Sequence, residues 1–297
     1  MSTGYVLTNR KAGNGSYEQA VASLKERFRE PLTYMDVEEI TDYAAFLGAM
    51  RKDDFLILAG GDGTLHHFAN NTYGMELPEK VLYYPAGTGN DFARELGKHY
   101  GDPPFEVRQY LRNLPVVEVR GQKRRFLNGV GFGIDGYCTE VGDRMRQQGK
   151  KKINYTLIAI RGLLWGYPPV SARITVDGKE YRYKKVWIAP TMFGKCYGGG
   201  MYPTPNQDRS APDPKLSLMV FHTAGKLKTL MIFPSIFKGE HVKHTEVVTV
   251  LEGRDIRVEF DRPSPLQIDG ETFHDVTSYH ALAPILAPTE KEPAMIR

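Results

Sequence analysis

Over roughly the first 110 residues, short apolar runs alternate with stretches of helical periodicity. Four of the runs, at 5–8, 33–37, 54–59 and 80–84, are short enough to be buried strands and are bounded by polar or Gly-containing segments. Between the first two, Ser16 and Gln19 form a capping box, and Val21, Leu24 and Phe28 then recur at helical spacing. A helix over about 16–30 follows. Strand and helix in alternation predict βαβ units and a mainly parallel sheet.

After about Leu114 the period changes. Arg173-Ile174-Thr175-Val176 runs into Asp177-Gly178, and Ile256-Arg257-Val258-Glu259-Phe260 alternates apolar and charged positions with period two. Antiparallel strands joined by tight turns explain both. Helical patterns interrupt them near 137–165 and 227–237, and the Pro-rich stretch 203–214 reads as a loop. The chain therefore divides into an α/β domain over 1–120 and a β-rich domain over 121–283. Segment 284–297 is expected to return to the first.

A length of 297 residues agrees with two domains of about 150 each. With 41% hydrophobic and 25% charged residues the composition is globular. The most apolar stretch, 156–165, is interrupted by Arg161 and falls short of the roughly 18 residues that span a bilayer. The opening MSTGYVLTNRKAGNG has no basic segment leading into a long apolar run, so no secretory signal is expected. Cys138 and Cys196 lack zinc or CxxC spacing, and a reducing cytoplasm is the simplest compartment. A net charge of +4 does not call for a nucleic-acid partner. Two local clusters, Lys123-Arg124-Arg125 and Arg144, Arg146, Lys150, Lys151 and Lys152, read either as solvated faces or as surfaces for anionic lipid headgroups.

Three Gly-rich turns fall at strand-to-helix junctions of the first domain: Ala12-Gly13-Asn14-Gly15, Gly60-Gly61-Asp62-Gly63-Thr64 and Pro85-Ala86-Gly87-Thr88-Gly89-Asn90-Asp91. Glycines allow close backbone approach, and helix N-termini favour phosphate. No P-loop, no kinase HRD or DFG set and no dinucleotide fingerprint within a βαβ unit is present; the match Gly131-Phe132-Gly133-Ile134-Asp135-Gly136 lies beyond the α/β region. Asp62, a carboxylate inside a phosphate-type loop, makes sense if it holds Mg²⁺ or accepts the proton of an attacking hydroxyl.

Gly60-Gly61-Asp62-Gly63-Thr64 together with Gly87-Thr88-Gly89-Asn90-Asp91 resembles the diacylglycerol kinase catalytic-domain family, which includes soluble bacterial lipid kinases and is related to sphingosine kinases. The first element is shared with NAD kinases and 6-phosphofructokinases; the second narrows the resemblance to lipid kinases. Asn128 to Gly133, Gly198-Gly199-Gly200, Asp213-Pro214-Lys215-Leu216, Gly239-Glu240-His241 and Asp269-Gly270-Glu271 extend it along nearly the whole chain.

The resemblance implies a Rossmann-like, 6-phosphofructokinase/NAD kinase-like α/β nucleotide-binding domain followed by a β-sandwich-like lipid domain. It implies ATP as co-substrate and Mg²⁺, transfer of the γ-phosphoryl group to diacylglycerol or a related lipid, and peripheral attachment to the inner, anionic membrane face. A homodimer is one arrangement left open. Asn9, Gly13, Gly60, Gly61, Gly63, Thr64, Gly87, Thr88 and Asp91 would line the nucleotide, Asp62 would be catalytic, and Glu271 would approach it from the second domain. Asp62, Glu118 and Asp213 are the implied metal positions. Two of these depart from the family pattern: Glu118 stands where an aspartate is common, and Pro212-Asp213-Pro214 replaces an acidic DDG segment. Read from the residues alone, Asp269-Gly270 is a hairpin turn with Glu271 exposed. His66 and His67 could face the nucleotide or pack in a helix, while His241 and His244 are expected to be structural.

Overall fold

The structure, a computed structural model, describes residues 2–9, 16–87, 89–150 and 153–285. Gly13, Thr88, Lys151, Lys152 and most of the expected returning segment, 286–297, lie outside the described residues.

The first lobe contains β1 (Gly4–Thr8), α1 (Ser16–Arg27), β2 (Leu32–Asp36), α2 (Tyr43–Gly48), β3 (Phe55–Gly60), α3 (Asp62–Asn71), β4 (Val81–Pro85), α4 (Asp91–Glu95), β5 (Phe105–Glu106) and α5 (Arg108–Arg112). Its sheet runs β2-β1-β3-β4-β5, parallel except for β5. The central strands are apolar without alternation because both faces are covered: Leu56, Ile57 and Leu58 of β3 are fully buried. The Asp62 and Asp91 turns leave the carboxyl ends of the adjacent strands β3 and β4, where open α/β sheets bind ligands.

The second lobe contains β6 (Val116–Val119), β7 (Gln122–Arg125), β8 (Gly129–Gly133), α6 (Ile134–Gln147), α7 (Tyr155–Arg161), β9 (Val170–Val176), β10 (Lys179–Val186), β11 (Ile188–Met192), β12 (Leu216–Phe221), α8 (Lys226–Ile232), β13 (Val248–Gly253), β14 (Asp255–Ile268) and β15 (Glu271–Leu282). All its pairings are antiparallel. The first part of β14 pairs with β9 and its end pairs with β8, with a register break between Glu259 and Ser264. That break lets one strand serve two layers, which close as a β-sandwich-like unit. Phe132, Phe260 and Tyr279 pack between them, the two phenyl rings stacked at 4.4 Å.

The helical pattern expected over 137–165 is two helices. The chain breaks at Gly149, which has φ +81°, and α7 then widens into a π turn over Gly162–Gly166. Among the described residues, no helix is long and apolar enough to cross a membrane. One apolar core runs through both lobes, from Leu7 and Leu56 to Val130 and Ile174. The short hairpin β6–β7 docks on α3: the Asn70 side chain donates to the Arg125 carbonyl at 3.1 Å and accepts its N–H at 2.9 Å.

Candidate active site

The two described Gly loops pack backbone to backbone. A Cβ on Gly61 would lie 3.2 Å from Gly87 Cα, and one on Gly87 would collide with Gly61. Asn90, in the left-handed region at φ +48°, braces this contact. Its Oδ1 accepts from the Gly87 N–H at 3.0 Å, and its Nδ2 donates to the Gly87 carbonyl at 2.7 Å. Gly60 makes room for the buried Thr64. Of these glycines Gly63 alone has open space where a Cβ would stand, so it is the one free to approach a ligand. Asn9 follows directly on β1, at the same edge of the sheet.

Acids gather beneath these loops. Asp62 begins α3 and caps α4: its carboxylate accepts from the N–H groups of Asp91 at 2.8 Å and Phe92 at 3.0 Å. Burial raises its pKa and Asp269 adds to the rise, while those two amides and the Asn128 side chain oppose it. Asp91 is buried. Its Oδ2 accepts from the Gly199 N–H at 2.7 Å, whereas Oδ1 has no hydrogen-bond partner among the described residues and lies 3.8 Å from Arg94 Nε. Burial, and then the neighbouring Asp62, lift Asp91 to about 6. A Cβ on Gly89 would sit 3.7 Å from Asp62 Oδ2 and 3.8 Å from Asp91 Oδ2, so both carboxylates flank one point of the loop. Two like charges around an orphaned oxygen form a cradle for a divalent cation, and Mg²⁺ typically takes one or two protein carboxylates with phosphate and water completing its shell.

The repulsion has a measurable consequence. A buried carboxylate whose folded pKa exceeds its unfolded value costs stability as pH rises through the folded value. Asp91 should therefore subtract from stability progressively between about pH 4 and pH 6. Asp91→Asn is expected to raise the unfolding free energy of the ligand-free protein by on the order of 2–3 kcal/mol above pH 7. Urea titrations of both proteins at pH 4 and pH 7.5 check this; an equal stability difference at the two pH values is the contrary result.

A cavity of about 370 Å³ is lined by Asp62, Asp91 and Asp269 together with the apolar Ile134, Ala159, Ile188, Met201, Phe233 and Phe237. Asp135, also on its wall, was absent from the candidates read from sequence. It is buried, accepts from the Tyr197 hydroxyl at 3.2 Å, and is pushed up to about 7 by that burial. Its only sequence signal is an acid directly after the apolar strand β8.

The other expected acids stand elsewhere. Asp269-Gly270 is a hairpin turn with φ +46° and +90°, the geometry Asp-Gly favours. It is Asp269, rather than Glu271, that the second lobe turns toward Asp62. Asp269 is fully buried and accepts from the N–H groups of Leu127 at 2.5 Å, Asn128 at 2.8 Å and Gly129 at 3.0 Å, and from His66 at 2.9 Å. Glu271 is half exposed, 3.3 Å from Arg124 Nη1.

Two of the three implied metal positions, Glu118 and Asp213, are absent from the lining of this cavity. Glu118 lies on β6 opposite His280 and Lys123, and Asp213 is exposed on a loop and paired with Arg254. Neither lines the cavity that holds Asp62, and Asp213 is implied for a second, structural Mg²⁺ rather than for that site. Among the described residues no three His, Cys, Asp or Glu side chains are grouped as a self-sufficient metal site. The Asp62–Asp91 pair fits one Mg²⁺ shared with a phosphate-bearing substrate. His241 is buried and donates from Nε2 to the Pro203 carbonyl at 2.9 Å, a structural contact.

A parallel α/β lobe with Gly loops at its carboxyl edge, joined to an antiparallel sandwich and sharing a cleft with it, is a kinase architecture. Residues 3–117 match the family model of the diacylglycerol kinase catalytic domain, and residues 128–287 match that of the YegS C-terminal NAD kinase beta sandwich-like domain. The diacylglycerol kinase of Mycobacterium tuberculosis (strain ATCC 25618 / H37Rv) is 30% identical over 261 residues, covering 82% of this chain and 81% of that protein. The diacylglycerol kinase of Bacillus subtilis (strain 168) is 24% identical over 282 residues, 91% and 90% of the two chains. A crystal structure of a diacylglycerol kinase from Bacillus anthracis str. Sterne aligns over 95% of this chain and 94% of that one with a TM-score of 0.56 at 20% identity, a likeness of fold. The chain belongs to the diacylglycerol kinase family of lipid kinases.

Proposed function

We propose that this protein transfers the γ-phosphoryl group of ATP, with Mg²⁺, to the hydroxyl of diacylglycerol or a closely related membrane lipid. The observation that carries the reading is one cavity lined both by buried carboxylates next to the Gly loops and by a group of apolar side chains. Asn9, Gly60, Gly61, Gly63, Thr64 and Gly87, with Gly13 and Thr88 of the same loops, cradle the nucleotide phosphates through backbone amides and the N-terminus of α3. Asp62 and Asp91 would hold Mg²⁺, which would supply charge neutralisation on the transferring phosphoryl group. Asp62, whose burial favours a bound proton, accepts the proton of the lipid hydroxyl. Glu271 contributes a second negative charge at the rim of the cleft. Labelled ATP with Mg²⁺, presented with diacylglycerol, ceramide, sphingoid base and NAD, tests the reading. Labelled phosphatidic acid supports it, and transfer to NAD alone overturns it.

The same reading places the protein at a membrane surface. Leu157, Ile160 and Trp165 on α7 and its π turn, and Leu227 and Met231 on α8, are all exposed, Trp165 by 80%. Lys226 Nζ donates to the Leu164 carbonyl at 2.7 Å, tying α8 to the π turn. The face adjoins the cavity, since Ala159 of α7 and the neighbouring Phe233 and Phe237 belong to its wall. Burying one such side chain in a bilayer is worth about 1.5–3 kcal/mol, and one basic residue about 1 kcal/mol near anionic lipid. Trp165→Ser with Leu227→Ser is therefore expected to lower vesicle affinity by at least about 10-fold on neutral and anionic vesicles alike. Charge reversal at Lys150, Lys151 and Lys152 is expected to weaken only the anionic case. Vesicle sedimentation reads both, and unchanged binding of the double variant removes this face from the proposal.

A further inference from the structure

His66 occupies a place that the phosphoryl-transfer chemistry leaves unused. It sits one turn along α3 from Asp62, is buried, and spans the two lobes. Its Nδ1 lies 2.9 Å from Asp269 Oδ2 in the β14–β15 turn, and its Nε2 lies 3.8 Å from Glu271 Oε1 at the start of β15. Asn70 Nδ2 is 3.3 Å from Nε2, yet its hydrogens are directed to the carbonyls of His66 at 3.0 Å and Arg125 at 3.1 Å. Both ring nitrogens face carboxylates of the other lobe, and the Asn70 amide competes with Glu271 for Nε2.

We propose that His66 is a positioning residue: as an imidazolium bridging Asp269 and Glu271, it locks the β14–β15 turn onto the helix that begins with Asp62, and its deprotonation releases the turn. The turn is a junction, because Asp269 also accepts the N–H groups of Leu127, Asn128 and Gly129 that lead into β8, and Asn128 in turn reaches Asp62. Loosening one hydrogen-bonded pair there shifts the wall of the cleft against its catalytic carboxylate. The charges facing the ring support a retained proton. Burial opposes it, Asp269 and Glu271 outweigh burial, and Arg124 on β7 subtracts a little, leaving the ring above its ordinary value. Asp269 in turn is held below the usual carboxylate range despite burial, by His66 and the Leu127 and Gly129 amides.

The lock rests on the lipid kinase reading for its effect on turnover but not for its titration, so two measurements separate them. Imidazole NMR of the wild-type protein should show His66 titrating above 6.5, and amide exchange at Gly270, corrected for intrinsic rate, should rise as pH passes that midpoint. In lipid kinase assays, kcat should fall along an alkaline limb with the same midpoint. His66→Gln should lower kcat by about 10- to 100-fold and abolish that limb, the scale on which small misplacements of reacting groups act. Arg124→Met, which removes the opposing charge, should move the limb to higher pH. A His66 midpoint below 6.5, Gly270 exchange indifferent to it, or an alkaline limb that persists in His66→Gln overturns the lock. Absence of lipid phosphorylation with the NMR results intact overturns the functional reading and leaves the lock standing as a structural device.

Discussion

Asp62→Asn is expected to lower turnover by about 10²- to 10⁴-fold, the contribution of a positioned base, with little change in stability. The stability half of this expectation follows from two opposing costs. The carboxylate accepts two helix-capping N–H groups, and an amide can satisfy only one of them, which costs about 1–3 kcal/mol for the group left unpaired. The substitution also removes a buried negative charge beside Asp91 and Asp269, a gain of similar size and opposite sign. Steady-state kinetics on the lipid that accepts phosphate, together with a thermal melt, separate lost chemistry from lost structure. A variant with wild-type kcat removes Asp62 from the base role.

The elements that the sequence pattern placed well are those whose residues answer to one physical demand. Strands β3 and β4 are buried along nearly their whole length and β1 mostly so, while the edge strand β2 is only partly covered; the observed limits of all four differ from the periodic reading by at most a residue at either end. The edge strand β5 carries only two residues and pairs antiparallel, too short for any period to register. In the site, Asp62 was legible because a carboxylate inside a Gly loop is an anomaly that asks for chemistry, whereas Asp91 was placed by the resemblance. Asp135 and Asp269 were not legible, because what makes them special is burial, and burial is decided by strands far away in sequence. The Asp269-Gly270 pair shows how two readings can both hold: it is an ordinary hairpin turn by backbone, and the aspartate's side chain is free to organise the cleft because the glycine absorbs the turn. Glu271 and Glu118 were placed by resemblance; register sets the first opposite Ile268 and the second opposite His280.

The Pro-rich stretch 203–214 hides the second large effect. Arg209, from that loop, is buried against Glu95 of α4: Nη2 lies 2.5 Å from Glu95 Oε2 and 3.2 Å from Asn128 Oδ1, and the guanidinium sits 4.9 Å from the Phe92 ring centre. Glu95 closes the same short helix whose first residue is Asp91, so the loop pins the helix that carries half of the acidic cradle. Arg209→Met leaves a buried carboxylate without its cation and is expected to cost about 3–5 kcal/mol in urea unfolding, with loss of activity following the loss of fold. The pair is not ideal, however, because Arg209 Nε and Nη1 are buried with no hydrogen-bond partner. Desolvation is therefore incompletely offset, and the double replacement Glu95→Leu with Arg209→Met should recover to within about 1 kcal/mol of the wild type. Such recovery would mean that the ion pair contributes placement of α4 more than net stability. If the two single costs simply add in the double variant, Arg209 is stabilising the loop through its contacts with Phe92 and Phe193 instead, and the charge on Glu95 is incidental.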